Sequence, residues 1–168
     1  MARKLLIGIL AFACLVTAIA FFARDPFYWW APRDEELISQ LRAHKSAFER
    51  LRDLAQQDSD KGPFFSASQL DKVDPTRRQE YLRLFAELPH GMTIGADSYS
   101  GATRFIFAVG GVMTIGPEWV KGIEFIPGQP TRWGHLTNQL DDPASLPWGN
   151  VYLRQADEHW YLFLQKTD

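Results

Sequence analysis

The hydrophobic and polar positions change rhythm twice along the chain. Residues 5–23 are uncharged and mostly apolar, a run of nineteen. As a helix this run spans roughly 30 Å, the thickness of a bilayer's hydrocarbon core. From residue 32 to 58 the pattern is periodic: Leu37, Leu41, His44, Phe48, Leu51 and Ala55 recur at spacings of 4, 3, 4, 3 and 4. That is one apolar stripe of a helix. Pro32 and the acids Asp34, Glu35 and Glu36 stand at its start, where the helix dipole favours them. Residues 59–75 contain Gly62, Pro63 and Pro75 and read as a connection, with Phe64 and Phe65 plugging the gap between helices. A second helix is predicted over 76–88: Tyr81, Phe85 and Leu88 form its face, Leu82 and Leu84 broaden it, and Pro89 and Gly91 stop it.

Beyond Gly91 the rhythm becomes that of strands. Residues 103–116 hold two β-branched and aromatic runs joined by Gly110 and Gly111, a tight-hairpin signal. Residues 119–128 read as the next strand, and 150–166 as a final hairpin turning near Asp157. Helices first and strands afterwards predict an α+β fold. In full, an N-terminal transmembrane helix precedes two helices packed on an antiparallel four- to five-stranded meander. The domains are 1–30, a membrane anchor or uncleaved signal, and 31–168, an outer α+β domain.

Three fates compete for the first segment. Cleavage by a signal peptidase would use the small residues Ala18 and Ala20, but the residues that follow remain apolar and aromatic, where mature proteins begin polar. Lipid attachment at Cys14 lacks a leucine-like residue three positions upstream. An uncleaved anchor accounts for the whole run and sets Phe27, Tyr28, Trp29 and Trp30 at the membrane interface. Arg3 and Lys4 precede the run. The positive-inside rule therefore puts the N-terminus in the cytoplasm and the domain in the periplasm, on a single-pass signal-anchor.

Charge narrows the partners. Of the 18 basic residues, Arg3, Lys4 and Arg24 lie in the first 24 positions with no acid among them, leaving 15 against 20 acids and a net charge of −5. An acidic domain without a basic stripe argues against nucleic acid. The single cysteine lies in the apolar run, so the outer domain has no disulfide and no thiolate metal site.

Motifs that force chemistry are missing: there is no H-E-x-x-H, G-x-S-x-G or phosphate loop. No cofactor, metal or catalytic set is expected. Scattered candidates are His90, His135, His159, Asp97, Asp141, Asp142, Ser98 and Ser100, of which His135 shares a loop with Asp141 and Asp142, the material of a general-base pair. That loop, 127–149, is long, rich in Pro and Gly, and carries Trp133 and Trp148. Length and tryptophans suggest a partner-binding surface made of Trp133, His135, Asp141, Asp142 and Trp148. The competing reading tucks both tryptophans onto the rim of the core. Arg104, Lys121, Arg132 and Arg154 either gather into a patch for an acidic partner or form cross-strand charge pairs. His44, alone on an apolar stripe, reads as a hydrogen-bonded core residue rather than a ligand.

The ordered segments FERLRDLAQQD, YLRLFAELPHGM, RFIFAVGG, VKGIEFIPG and VYLRQADEHWYLFLQ, within residues 48–166, resemble a group of small, uncharacterised bacterial envelope proteins with an N-terminal anchor or lipoprotein signal and a C-terminal WYLY-type strand hairpin. The resemblance implies the fold and an envelope location, and it brings no activity and no site residues. The chain departs from the group's pattern at Glu158, where such turns place Gly, and at Phe125 and Ile126, which replace a polar strand end. Asp157 or His159 would then have to adopt the left-handed conformation.

The expectation is a non-catalytic periplasmic protein-binding domain anchored to the bacterial inner membrane through residues 5–23. Within that class an immunity-type inhibitor of an envelope-directed toxin is favoured, because a small, acidic, anchored chain without catalytic motifs is what neutralising a toxin at the membrane requires. One alternative is an envelope assembly or accessory factor forming a homodimer through the 34–57 helix as a coiled coil. The other is a small hydrolase using His135 with Asp141 or Asp142.

Overall fold

The computed structural model describes residues 31–61, 64–65, 67–88, 93–96, 101–111 and 118–167. The expected anchor and its aromatic belt, Phe27 to Trp30, lie outside the described residues. So do His90, Asp97, Ser98 and Ser100. Among the described residues no helix is long and apolar enough to cross a membrane.

The predicted α+β class is what the chain adopts. The described residues form three helices, α1 (Asp34–Ala43), α2 (Lys45–Gln57) and α3 (Pro75–Glu87). They also form seven strands: β1 (Phe64–Phe65), β2 (Thr93–Ala96), β3 (Thr103–Gly111), β4 (Glu118–Phe125), β5 (His135–Leu136), β6 (Asn150–Gln155) and β7 (Trp160–Thr167). The strands join in one sheet of order β1-β2-β3-β4-β7-β6-β5.

This corrects the meander of four or five antiparallel strands. β7 lies between β4 and β6, so the consecutive order breaks, and β5 runs parallel to β6. Three strands were not expected: β2, of four residues, and β1 and β5, of two residues each, too short for alternation to show. Phe64 and Phe65, expected to belong to a connection, are strand residues paired with Gly95 and Ile94. Gly110 and Gly111 are not a turn: they continue β3 opposite Trp119 and Glu118, and the second predicted run, at 112–116, lies outside the described residues.

The predicted helix over 32–58 is two helices. The backbone leaves helical geometry at His44 (φ −123°, ψ 27°), whose N–H still donates to Gln40 O and whose carbonyl accepts from Ala47 and Phe48. His44 is thus a half-buried joint. The break lets each half aim its own anchors. Leu37, Ile38 and Leu41 of α1 and Ala47, Phe48, Leu51, Leu54 and Ala55 of α2 are all at least 95% buried. The stripe is therefore used inside the chain, which leaves a coiled coil through 34–57 without an apolar seam to offer.

Strand alternation puts Ile94, Phe105, Ile123, Trp160 and Leu162 on the helix-facing side of the sheet. Phe48 meets Phe105 edge-on at 5.0 Å and Trp160 at 6.1 Å. Phe107, two residues beyond Phe105, is on the same side, 6.2 Å from Phe48, and the bulge between Ile106 and Ala108 sets Ala108 opposite Lys121. α3 packs on α2: Arg77 Nη1 and Tyr81 Oη both donate to the buried Asp58 carboxylate at 2.5 and 3.3 Å. Burial and the Asp58 charge both push the Tyr81 hydroxyl well above its usual range, so it stays a donor. Asp74 caps α3, accepting from Thr76 N–H at 2.9 Å, and Pro75 opens it. Leu84 is buried as expected, but Leu82 faces solvent.

The last hairpin needs no left-handed residue. Ala156 and Asp157 donate their N–H groups to Trp160 O at 2.9 and 3.0 Å, and no described non-glycine residue has positive φ. Neither Asp157 nor His159 takes up the conformation expected from the absent glycine.

Gly122 sits opposite the bulge, where a Cβ would lie 2.0 Å from Phe105 O and 2.9 Å from Phe163 Cε1. Gly122→Ala should therefore part β3 from β4 and destabilise the domain by about 3 kcal/mol or more. In a urea titration that reads this loss, Gly128→Ala, where nothing lies within 4 Å of the added Cβ, should be near neutral.

Candidate functional site

Lys121 has the strand parity of Trp119 and Ile123, so it points to the helix side, and its side chain is 0% exposed. A buried ammonium requires carboxylates. Two converge on it: Asp34 Oδ1 and Asp141 Oδ1, each 2.8 Å from Nζ. Asp34 is the first residue of α1, and its Oδ2 accepts the Leu140 N–H at 2.7 Å and Arg154 Nη1 at 3.0 Å. Its own N–H donates to Asp141 Oδ1 at 2.9 Å, so Asp141 caps α1 from across the fold. Arg154 Nη2 continues to Glu35 Oε1 at 2.6 Å. Burial pushes the Asp34 carboxyl up, but the Lys121 and Leu140 hydrogen bonds, the Lys121 charge and Arg154 together outweigh it and hold it below the usual value.

The same loop is fastened at a second point. Lys166 Nζ donates to Pro143 O and Leu146 O, both at 2.7 Å, and stands 4.1 Å above the Trp148 ring. Tyr152 Oη donates to Pro147 O at 3.1 Å.

The five residues expected to form one partner surface do not share one. Trp148 and Asp141 lie on the helix side, whereas Trp133 packs on the opposite face against Ile126, Leu153, Tyr161 and Phe163. Both tryptophans are half-buried, as the rim reading has it. His135 is exposed on β5, with Nε2 3.2 Å from Asn150 Oδ1 and its ring 5.8 Å from Tyr152. Asp142 is exposed, and its carbonyl accepts the Ser145 hydroxyl at 2.8 Å. His135 and Asp141 are thus engaged with separate partners, Asn150 and Lys121. His159 packs against Phe125 at 6.0 Å.

The four basic residues do not gather either. Arg104 bonds Glu124 directly across the ladder at 2.9 Å and Gln165 at 2.7 Å, over the Phe163 ring. Lys121 and Arg154 belong to the buried network, and Arg132 is exposed in a 3-10 turn. Charge pairing, the other reading of this set, describes Arg104.

Beside the network the sheet ends in a recess. β5 pairs with β6 only at Tyr152 and Leu153, and beyond that point Thr137 and Asn138 diverge from Arg154 and Gln155. The groove between them, lined also by Leu136, holds about 520 Å³. Neither groove nor network was foreseen as a site. The signal for Lys121 was its parity within WVKGIEF, a lysine at a core-facing position. The groove left no signal, since it depends on where β5 stops.

Compared with protein-family models, curated proteins and solved structures, the chain matches none.

Lys121→Met leaves Asp34 buried with only Arg154 to answer it and should cost about 3–5 kcal/mol. Asp34→Asn together with Lys121→Met should recover part of that in a double-mutant cycle read by urea unfolding. Because the folded Asp34 pKa is lowered, its contribution is full above the unfolded value near 3.9 and is lost as pH falls through the folded one. Unfolding midpoints between about pH 5 and pH 2 should therefore fall less steeply in Asp34→Asn than in the parent.

Proposed function

We propose that the chain is a non-catalytic protein-binding domain, tethered to the periplasmic face of a bacterial inner membrane by residues 5–23, and that it acts as an immunity-type inhibitor of an envelope-directed toxin. The observation that carries the binding reading is the incomplete edge of the sheet. β6 is six residues long and pairs with β7 along its whole inner edge, but on its outer edge β5 covers only two residues, and beside them lies a groove walled by apolar, amide and charged side chains. An open strand edge beside such a recess suits recognition of another polypeptide. Leu136, 54% exposed at its rim, is the apolar contact such a partner would cover.

Two further features support the reading. The titratable groups of the long loop hold the loop itself: Asp141 pairs with Lys121 and His135 with Asn150. The surplus of acids outside the first 24 residues suits electrostatic steering of a basic protein. The resemblance to small envelope proteins and the apolar N-terminal run support the location.

Growth competition tests the reading. Cells lacking the chain should be outcompeted by siblings that carry the toxin gene neighbouring its own. Full-length chain should restore parity, and the Leu136→Asp chain at equal abundance should restore it poorly, since loss of one well-packed apolar contact weakens binding about tenfold or more. Equal competition by the deletion strain would remove the toxin from the proposal.

A further inference from the structure

The groove has an edge chemistry and a charge, and together they name a ligand class. Leu153 O accepts the Thr137 N–H at 2.8 Å, so the Leu153 main chain faces β5. Alternation along a strand puts the Gln155 N–H and C=O on that same edge, where β5 no longer runs. The Gln155 side-chain amide donates to Asp157 O and Glu158 O at 3.3 and 3.4 Å. The edge is therefore available to the backbone of another extended segment in the place a longer β5 would occupy.

Charge decides what that segment carries. Arg154 lines the groove, but its Nη1 and Nη2 are already engaged by Asp34 and Glu35. Around it three carboxylates, Asp34, Glu35 and Asp141, answer two cations, Lys121 and Arg154. The excess falls on Glu35, whose side chain is 74% exposed. An acidic ligand would compete with carboxylates already bound to Arg154; a cationic one completes the pairing.

We infer that the groove takes an extended, basic peptide segment of the partner, which pairs with the main chain of β6 at Gln155 and sets a lysine or arginine against Glu35. The inference rests on the protein-binding reading and specifies the chemistry of what is bound.

Fluorescence anisotropy on the full chain in detergent micelles tests it, with a labelled short peptide of alternating lysine and valine as probe. Two controls replace lysine by glutamate, or alternate valines by proline so that the peptide cannot pair as a strand. The lysine peptide should bind at least about tenfold more tightly than either control. Glu35→Gln should weaken it several-fold, and Asn138→Trp, which fills the groove from an exposed position, should abolish it, both at unchanged thermal midpoints. Three outcomes would overturn the inference: equal binding of the three peptides, lysine-peptide binding indifferent to both substitutions, or a concentration-dependent dimer of the chain that excludes the peptide. Failure here leaves the growth competition standing, whereas a deletion strain that competes normally removes the toxin and not the peptide groove.

Discussion

The ammonium of Lys121 sits in the middle of β4 with no access to water, and the chain has to answer that charge from elsewhere. It does so with the first residue of α1 and with a residue of the 137–149 connection, 107 positions apart in sequence. Each carboxylate then does a second task. Asp34 also takes the Leu140 N–H and Arg154, and Asp141 also caps the helix that Asp34 begins. The start of α1, the centre of the sheet and the path of the longest connection are thereby one construction. A pair of this kind contributes little net stability compared with well-packed apolar residues of the same size, but losing one member is costly. Its effect is to fix which arrangement of helix, sheet and loop is acceptable.

The helix-facing layer is accordingly two materials side by side. Under α2 it is aromatic and aliphatic, with Phe48 wedged among Phe105, Phe107 and Trp160. Under the start of α1 and the connection it is cationic: Lys121, Arg154 and Lys166 share that side of three adjacent strands. Each cation fastens backbone that the apolar layer does not reach. Lys121 and Arg154 fasten the helix start, and Lys166 fastens the turn around Pro143 and Trp148. A connection rich in proline and glycine cannot be held by burial alone, so it is held by donors aimed at its carbonyls.

What was legible in the sequence follows from range. The stripe from Leu37 to Ala55, the face of α3 and the final hairpin are local patterns, and they appear where expected. The interruption at His44 was not legible, because the stripe continues through it; only the separate targets of α1 and α2 require the joint. Strands of two residues carry no period, so β1 and β5 were invisible. The candidate site suffered most. Trp133, His135, Asp141, Asp142 and Trp148 are close in sequence, and nearness in sequence stood in for nearness in space. The sheet lies between Trp133 and Trp148, and Asp141 is turned to a lysine twenty positions away.

The groove and the network are linked by the course of the chain. After Leu136 pairs with Leu153, two further residues in register would have covered Arg154 and Gln155 and closed the edge. The chain instead turns away after Thr137, whose hydroxyl bonds Gln139 O, and within three residues the Leu140 N–H is on Asp34. Asp141 must then reach both Lys121 and the Asp34 N–H. A continued β5 would carry these residues along β6, away from the start of α1. The unfilled edge is thus the geometric consequence of satisfying a buried lysine. The surplus of negative charge beside it has the same cause, since the network that reaches the groove through Arg154 holds one more carboxylate than it has cations to pair. Shape and charge at the proposed binding groove are set by one constraint, which ties the recognition surface to the part of the fold least able to rearrange.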